Sequence, residues 1–594
     1  MLAMNYKIVC SLVGMVAVIL GLCMFLCLPW GLPALGGGPE ENRGVVGLLL
    51  SGGLAFLLGA ALIFLGRGCD DSRFFRKEAI VTVSVCWIVA IILGAAPYLF
   101  SRTQRSCDTP VSISDALFES ASGLTTTGAT VFEELEDPVL MPRCILFWRG
   151  ATHFLGGLGV MCFFVVVLGQ GASGKAVMKL ERAASGKIPI AKMRSFASTL
   201  FAIYLALNLL CCVALICCGM SVFDAISHAF SAIALGGFGT HNASVAHFTL
   251  CPSTNGLAVE LTLTFFMLLA GTNFWLLYWV LRGQPGKLFR DSEWRTYVVL
   301  VGLGITVAFG FGLAHGDFRA LPKQVEAPTQ DSEPRANSSE NIEKTPLETL
   351  ERQRISRVDV VAKIDRATTV DVPCNRERLD SRPGFTIDPD AETASLGSAL
   401  CRAAFQVVSL ATGAGFVLER YELWNSVTLM ALVLLMFVGG CSGSTAGGAK
   451  VFRVLLSGKA LFQNLARTFS PNVVRVTRLD GENVDKDSLY AALAYVFVLG
   501  ALILVVAAGV AVYEPDSIWI ARGESQVEKM NDLFVAALAM CANVGPALGA
   551  FGSFENYGAL TDLTKIIFAW VMLLGRLEVW TLLALFSPNF WRDR

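Results

Sequence analysis

Apolar runs of about twenty residues recur from one end of this chain to the other, each long enough to cross a hydrocarbon core of about 30 Å as a helix. They fall near 6–28, 45–66, 78–100, 143–169, 196–218, 257–281, 296–315, 424–453, 488–512 and 562–588. The run from Val9 to Trp30 lacks a small-residue cleavage signature and reads as a retained span rather than a removable leader. Only 16% of the 594 residues are charged and 54% are hydrophobic, whereas a soluble domain carries about 25% charged residues. A net charge of −1 gives no basic excess for nucleic acid.

Charge is concentrated in alternate connections. Arg67, Arg73, Arg76 and Lys77 crowd one; Lys175, Lys179, Arg182, Lys187, Lys192 and Arg194 crowd the next on that side. Arg282, Lys287, Arg290 and Arg295 follow, then Arg453, Lys459, Arg467, Arg475 and Arg478. The positive-inside rule makes that side cytoplasmic, and an even number of spans puts both termini there.

Beyond 31–44, the outer connections are too long for turns. One carries a charged insert over 317–395, read as an external, largely flexible segment or small appended domain with a possible short helix at Leu347–Ala362. Cys86, Cys162, Cys211, Cys212, Cys217 and Cys218 sit in apolar runs as small hydrophobes. Cys107, Cys251 and Cys374 fall outside the membrane, and a disulfide among them is open.

Four outer connections align by their glycine-rich ends. They read SDALFESASGLTTTGAT (Ser114–Thr130), FDAISHAFSAIALGGFGTH (Phe223–His241), SALCRAAFQVVSLATGAGF (Ser398–Phe416) and NDLFVAALAMCANVGPALG (Asn531–Gly549). Each predicts a helix of about ten to fourteen residues, too short to span. Ser114, Ser398 and Asn531 are placed as N-caps. Each segment ends in a small-residue stretch containing a glycine: Gly128, Gly237, Gly415 or Gly545. Irregular backbone at membrane depth is tolerated only where it is buried in protein or lines a water-filled path. Four such stretches, each between two spans, describe a pore whose carbonyls can replace an ion's hydration shell. The partially negative C-terminal ends of the short helices favour cations there.

These residues resemble the Trk/Ktr/HKT superfamily of potassium transporters, most closely the bacterial Trk-type membrane subunit (TrkH/KtrB-like). The resemblance rests on TTTGAT at Thr125–Thr130, GGFGTH at Gly236–His241 and NVGPALG at Asn543–Gly549. WRGATHFLGGLGV at Trp148–Val160, GGCSGSTAGGAKVFR at Gly439–Arg453 and LLGRLEVWTLLALFSPNFWR at Leu573–Arg592 add to it. It covers nearly the whole chain except the insert.

The resemblance implies an all-α polytopic membrane protein, with two leading helices (1–70) and four helix–pore-loop–helix repeats around one pore. The repeats are 71–170 with pore loop 112–132, 195–283 with loop 222–244, 294–455 with loop 396–418, and 486–594 with loop 528–550. It implies potassium at a filter of Thr126, Thr127, Gly128, Leu235, Gly236, Gly237, Ala414, Gly415, Asn543, Val544 and Gly545. Glycine at all four filter positions goes with potassium in this family, so Gly128 argues for potassium uptake. Leu235 and the ATGAGF stretch depart from the family's threonines, removing hydroxyl support there.

The glycine run after Val438 predicts a helix break, which the resemblance makes an intramembrane gate of Gly439, Gly440, Ser442, Gly443, Ser444, Gly447 and Gly448. Lys450 and Arg453 read as interfacial anchors. Arg576 reads as a mid-span cation, costly and therefore functional, either a barrier or an anchor for the gate loop. Glu119 and Asp224 either attract cations or hydrogen-bond loop backbone.

The resemblance further implies the bacterial inner membrane, a homodimer and a separate cytosolic nucleotide-binding regulatory subunit, with no organic cofactor. The rival reading is a sodium- or proton-coupled cation symporter, which requires ionisable residues at the bilayer midplane. His153, His228, His241, His247 and His315 form no enzymatic motif.

Overall fold

Backbone within hydrocarbon must satisfy its own N–H and C=O groups, and this chain does so almost entirely with helices. The computed structural model describes residues 5–33, 38–68, 76–107, 109–168, 190–318, 395–469 and 477–591. The insert, its possible helix at Leu347–Ala362 and Cys374 lie outside the described residues, apart from the insert's end residues. Cys107 is disulfide-bonded, whereas Cys251 is a free thiol.

Helices α1 (Tyr6–Cys27) and α2 (Asn42–Leu65) lead the chain. Gly14 lies against the Gly59 carbonyl and Gly21 against that of Gly52, leaving no room for a Cβ at either contact. Small residues bring membrane helices together in this way. Then come α3 (Arg76–Phe100), the short α4 (Ile113–Leu124) and α5 (Arg143–Leu168). The next group is α6 (Ile190–Cys217), the short α7 (Val222–Ala234), α8 (Gly256–Ala270) and α9 (Phe274–Leu281). Helix α10 (Ser292–His315), the short α11 (Leu396–Thr412), α12 (Ser426–Val438) and α13 (Val451–Phe469) follow. The last group is α14 (Lys486–Tyr513), the short α15 (Gln526–Ala542), α16 (Asp562–Arg576) and α17 (Val579–Phe586).

The short helices are buried on nearly all sides, whereas the long helices turn residues such as Leu209, Phe497 and Val505 outward. That is the pattern expected when lipid replaces water as the outer solvent.

Three expected spans are interrupted. The run at 257–281 bends by 103° between α8 and α9, where Asn273 caps the new helix by accepting from the Trp275 amide. The run at 424–453 breaks where the glycines predicted, over 439–450, but α13 continues to Phe469. The run at 562–588 stops at Arg576, with Glu578 at φ +59° before α17. Arg576 therefore sits at a helix end, not mid-span, because α16 has only 15 residues. Among the described residues, six uninterrupted helices are long and apolar enough to cross a membrane.

Candidate functional site

Each short helix begins at a serine: Ser112, Ser221, Ser395 and Ser525. The side chains of Ser112, Ser221 and Ser395 accept from the amides of Asp115, Asp224 and Ser398. In the fourth, the Ser525 amide donates to Glu528, the reciprocal half of a capping box. The expected caps Ser114, Ser398 and Asn531 lie inside the helices instead. Helices α11 and α15, at 17 residues each, exceed the expected length because they start earlier.

All four helices end in the same turn. Two residues before each glycine the backbone is left-handed, at Thr126 (φ +52°), Leu235 (+57°), Gly413 (+80°) and Asn543 (+53°). The glycines are left-handed too: Gly128 at +85°, Gly237 at +79°, Gly415 at +71° and Gly545 at +93°. The residue between donates its amide back to the helix. Thr127, Gly236 and Ala414 reach the Ser122, Ser231 and Ser409 carbonyls at 2.8 Å, and Val544 reaches that of Ala539 at 2.9 Å. This is the 6→1 bond of a Schellman cap. Gly413 was missed by the motif reading; counting two residues back from Gly415 finds it.

The four turns close into a cycle. A Cβ on Gly128 would strike the Gly236 carbonyl, one on Gly237 that of Ala414, one on Gly415 that of Val544, and one on Gly545 that of Thr127. The backbone carbonyl preceding each glycine thus packs on the glycine of the neighbouring stretch, and the fourth returns to the first. Only glycine meets both demands, positive φ and no Cβ.

Polar side chains secure the chain beyond each turn. Glu119 accepts from the Val131 amide (3.0 Å) and pairs with Arg149 at 2.5 Å, fully buried. Asp224 accepts from the Thr240 hydroxyl at 2.6 Å. Gln406 accepts from the Leu418 amide at 3.3 Å, and Ser409 donates to the Phe416 carbonyl at 2.7 Å. Asp532 accepts from the Ala550 amide at 2.9 Å. Glu119 and Asp224 therefore bind loop groups. The third stretch, short of threonines, is held from the helix side by Ser409 and Gln406.

Below the turns lies the glycine-rich loop 439–450. Gly439, Gly443 and Gly448 have φ of +74°, +73° and +78°, and Gly440, Ser442, Ser444 and Gly447 stand between or beside them. Gly447 packs on the Ala542 carbonyl, its amide 3.7 Å from where a Cβ on Gly413 would stand. The Thr445 hydroxyl donates to the Ile233 carbonyl at 2.9 Å. The loop thus touches the ends of three of the four short helices. Arg576 donates from Nη1 to the Thr445 carbonyl at 2.7 Å, while its buried Nε and Nη2 have no partner among the described residues. Lys450 is no interfacial anchor: it is buried and donates to the Ala446 carbonyl inside the loop. Arg453 pairs with Glu578 at 2.6 Å, bridging α13 to the break after α16.

Membrane-length helices around four buried helix–glycine turns define a polytopic membrane transport protein. A family model described as "TrkH: Cation transport protein" matches residues 50–315 and 391–593. The chain belongs to this family of membrane transporters, not of enzymes. It is 30% identical over 552 residues to the Trk system potassium uptake protein TrkH of Salmonella typhimurium, covering 91% of both chains. It is 29% identical over 539 residues to that of Halomonas elongata, covering 90% of this chain and 89% of the other. The crystal structure of the potassium transporter TrkH from Vibrio parahaemolyticus superposes with a TM-score of 0.71 at 27% identity, covering 98% of this chain and 99% of that one.

Proposed function

We propose that the chain is the pore-forming subunit of a Trk-type potassium uptake system in a bacterial inner membrane, its termini cytoplasmic. The closed cycle of four carbonyl–glycine contacts carries this reading. The carbonyls of Thr127, Gly236, Ala414 and Val544 each pack on the next stretch's glycine at the C-terminal ends of four helices, where dipoles and carbonyls both favour a cation. Potassium is the cargo. The filter consists of the eleven residues named from the sequence with Gly413 added, and loop 439–450, held by Arg576, is the gate. A homodimer and a separate nucleotide-binding regulatory subunit follow from the family reading alone.

Purified protein in liposomes tests this through rubidium and sodium uptake by wild type and Gly128→Ser. Rubidium uptake that potassium inhibits, with selectivity weakened in the variant, is expected. Sodium-dominant uptake by the wild type would overturn the potassium assignment.

A further inference from the structure

The gate loop has a second mooring besides Arg576. The interruption between α8 and α9 exchanges backbone hydrogen bonds with it: the Cys441 amide donates to the Gly271 carbonyl at 2.9 Å, and the Phe274 amide to the Gly443 carbonyl at 3.2 Å. Gly443 sits so close to the Asn273 side chain that a Cβ would stand 3.1 Å from its Oδ1. Two broken spans thus clasp each other through residues that a continuous helix would have kept for itself.

Between them lies a carboxylate. Glu293, buried in the first turn of α10, accepts from the Ser442 amide at 2.5 Å. A buried amide that loses its acceptor stays unsatisfied, which is costly away from water, so this one contact holds the loop backbone to α10. Cys441, beside that amide, is fully buried.

We propose that Glu293 is a positioning residue that latches loop 439–450 onto the cradle Gly271–Asn273. Its role in transport rests on reading that loop as the gate. With the latch released, the loop loses its side-chain acceptor while Arg576 still holds Thr445, so the segment around Cys441 leaves first.

Cys441 supplies the readout. Full-length protein in liposomes is treated with N-ethylmaleimide and labelling is followed by peptide mass at Cys441 and at Cys541, a buried thiol in α15 outside the loop. Rubidium uptake is measured in parallel. Glu293→Ala should label Cys441 roughly tenfold faster than wild type, the factor one unmet buried hydrogen bond controls, with Cys541 unchanged. Glu293→Gln, which keeps an acceptor oxygen, should fall between. Unchanged labelling at Cys441, or equal acceleration at Cys541, would overturn the latch. Should Glu293→Ala fail to fold, Glu293→Asp takes its place with the same criteria. Faster Cys441 labelling without a change in rubidium uptake leaves the latch standing and removes the gate reading instead.

Discussion

Asn543 donates from Nδ2 to the hydroxyl of Thr127 at 2.9 Å, joining the last glycine stretch to the first across 416 residues of chain. The same amide group reaches the Met572 carbonyl at 2.9 Å. One side chain therefore fixes a left-handed turn, a neighbouring stretch and the helix behind both. Removing the Thr127 hydroxyl leaves a buried amide short of a partner, at about 1–3 kcal/mol. Thr127→Val should lower the preference for rubidium over sodium by about tenfold or more, and Thr127→Ser should retain it. Equal selectivity in Thr127→Val and wild type would show that the bond does not tune the carbonyls.

Gly413 offers a contrast between conformation and volume. Its φ of +80° falls in the left-handed region that Asn543 occupies at +53° in the fourth stretch, and asparagine enters this region far more readily than β-branched residues. Gly413→Asn should keep most of the rubidium uptake, whereas Gly413→Val should abolish it. Similar loss in both would point to the close Asn543 carbonyl, 3.3 Å from where a Cβ would stand, not the backbone angle, as the constraint.

The Arg149–Glu119 pair, fully buried at 2.5 Å, ties α5 to the chain beyond Gly128. Removing one partner of a buried pair strands the other, at about 3–5 kcal/mol. Glu119→Ala should markedly lower the thermal midpoint in detergent, with Glu119→Gln less affected because it still accepts from the Val131 amide. A midpoint unchanged in Glu119→Ala would mean that water reaches Arg149.

At the end of the second glycine stretch, outside every membrane-crossing helix, the His241 ring stacks on His247 with centroids 3.6 Å apart. Burial first, then the His247 ring, pushes the His241 imidazole down to about 3. The folded protein thus refuses a proton that the unfolded chain takes up near pH 6.5. This stability is complete above about pH 6.5 and is lost as pH falls from there towards about 3. Thermal midpoints measured from pH 8 to pH 5 should decline, and less steeply in His241→Asn. Parallel curves would exclude this pair as the cause.

Much of the architecture is legible along the chain, because each relevant property is local. Hydrophobic length placed α1, α2, α3, α10 and α14 within a few residues, and the glycine run after Val438 announced a break. Aligning glycines brought together four segments that share one backbone turn, since a left-handed residue without a Cβ leaves its mark in composition.

What escaped depends on contacts between distant residues. The bend at Gly271–Asn273 is invisible in an apolar run, because the groups that replace its helical bonds belong to Cys441 and Gly443. Lys450 reads as an anchor until its ammonium is found inside the loop. Arg576 reads as a mid-span charge until α16 stops beneath it, its guanidinium held by Thr445. A buried polar group takes whichever partner the packed chain delivers, and that choice is made in three dimensions.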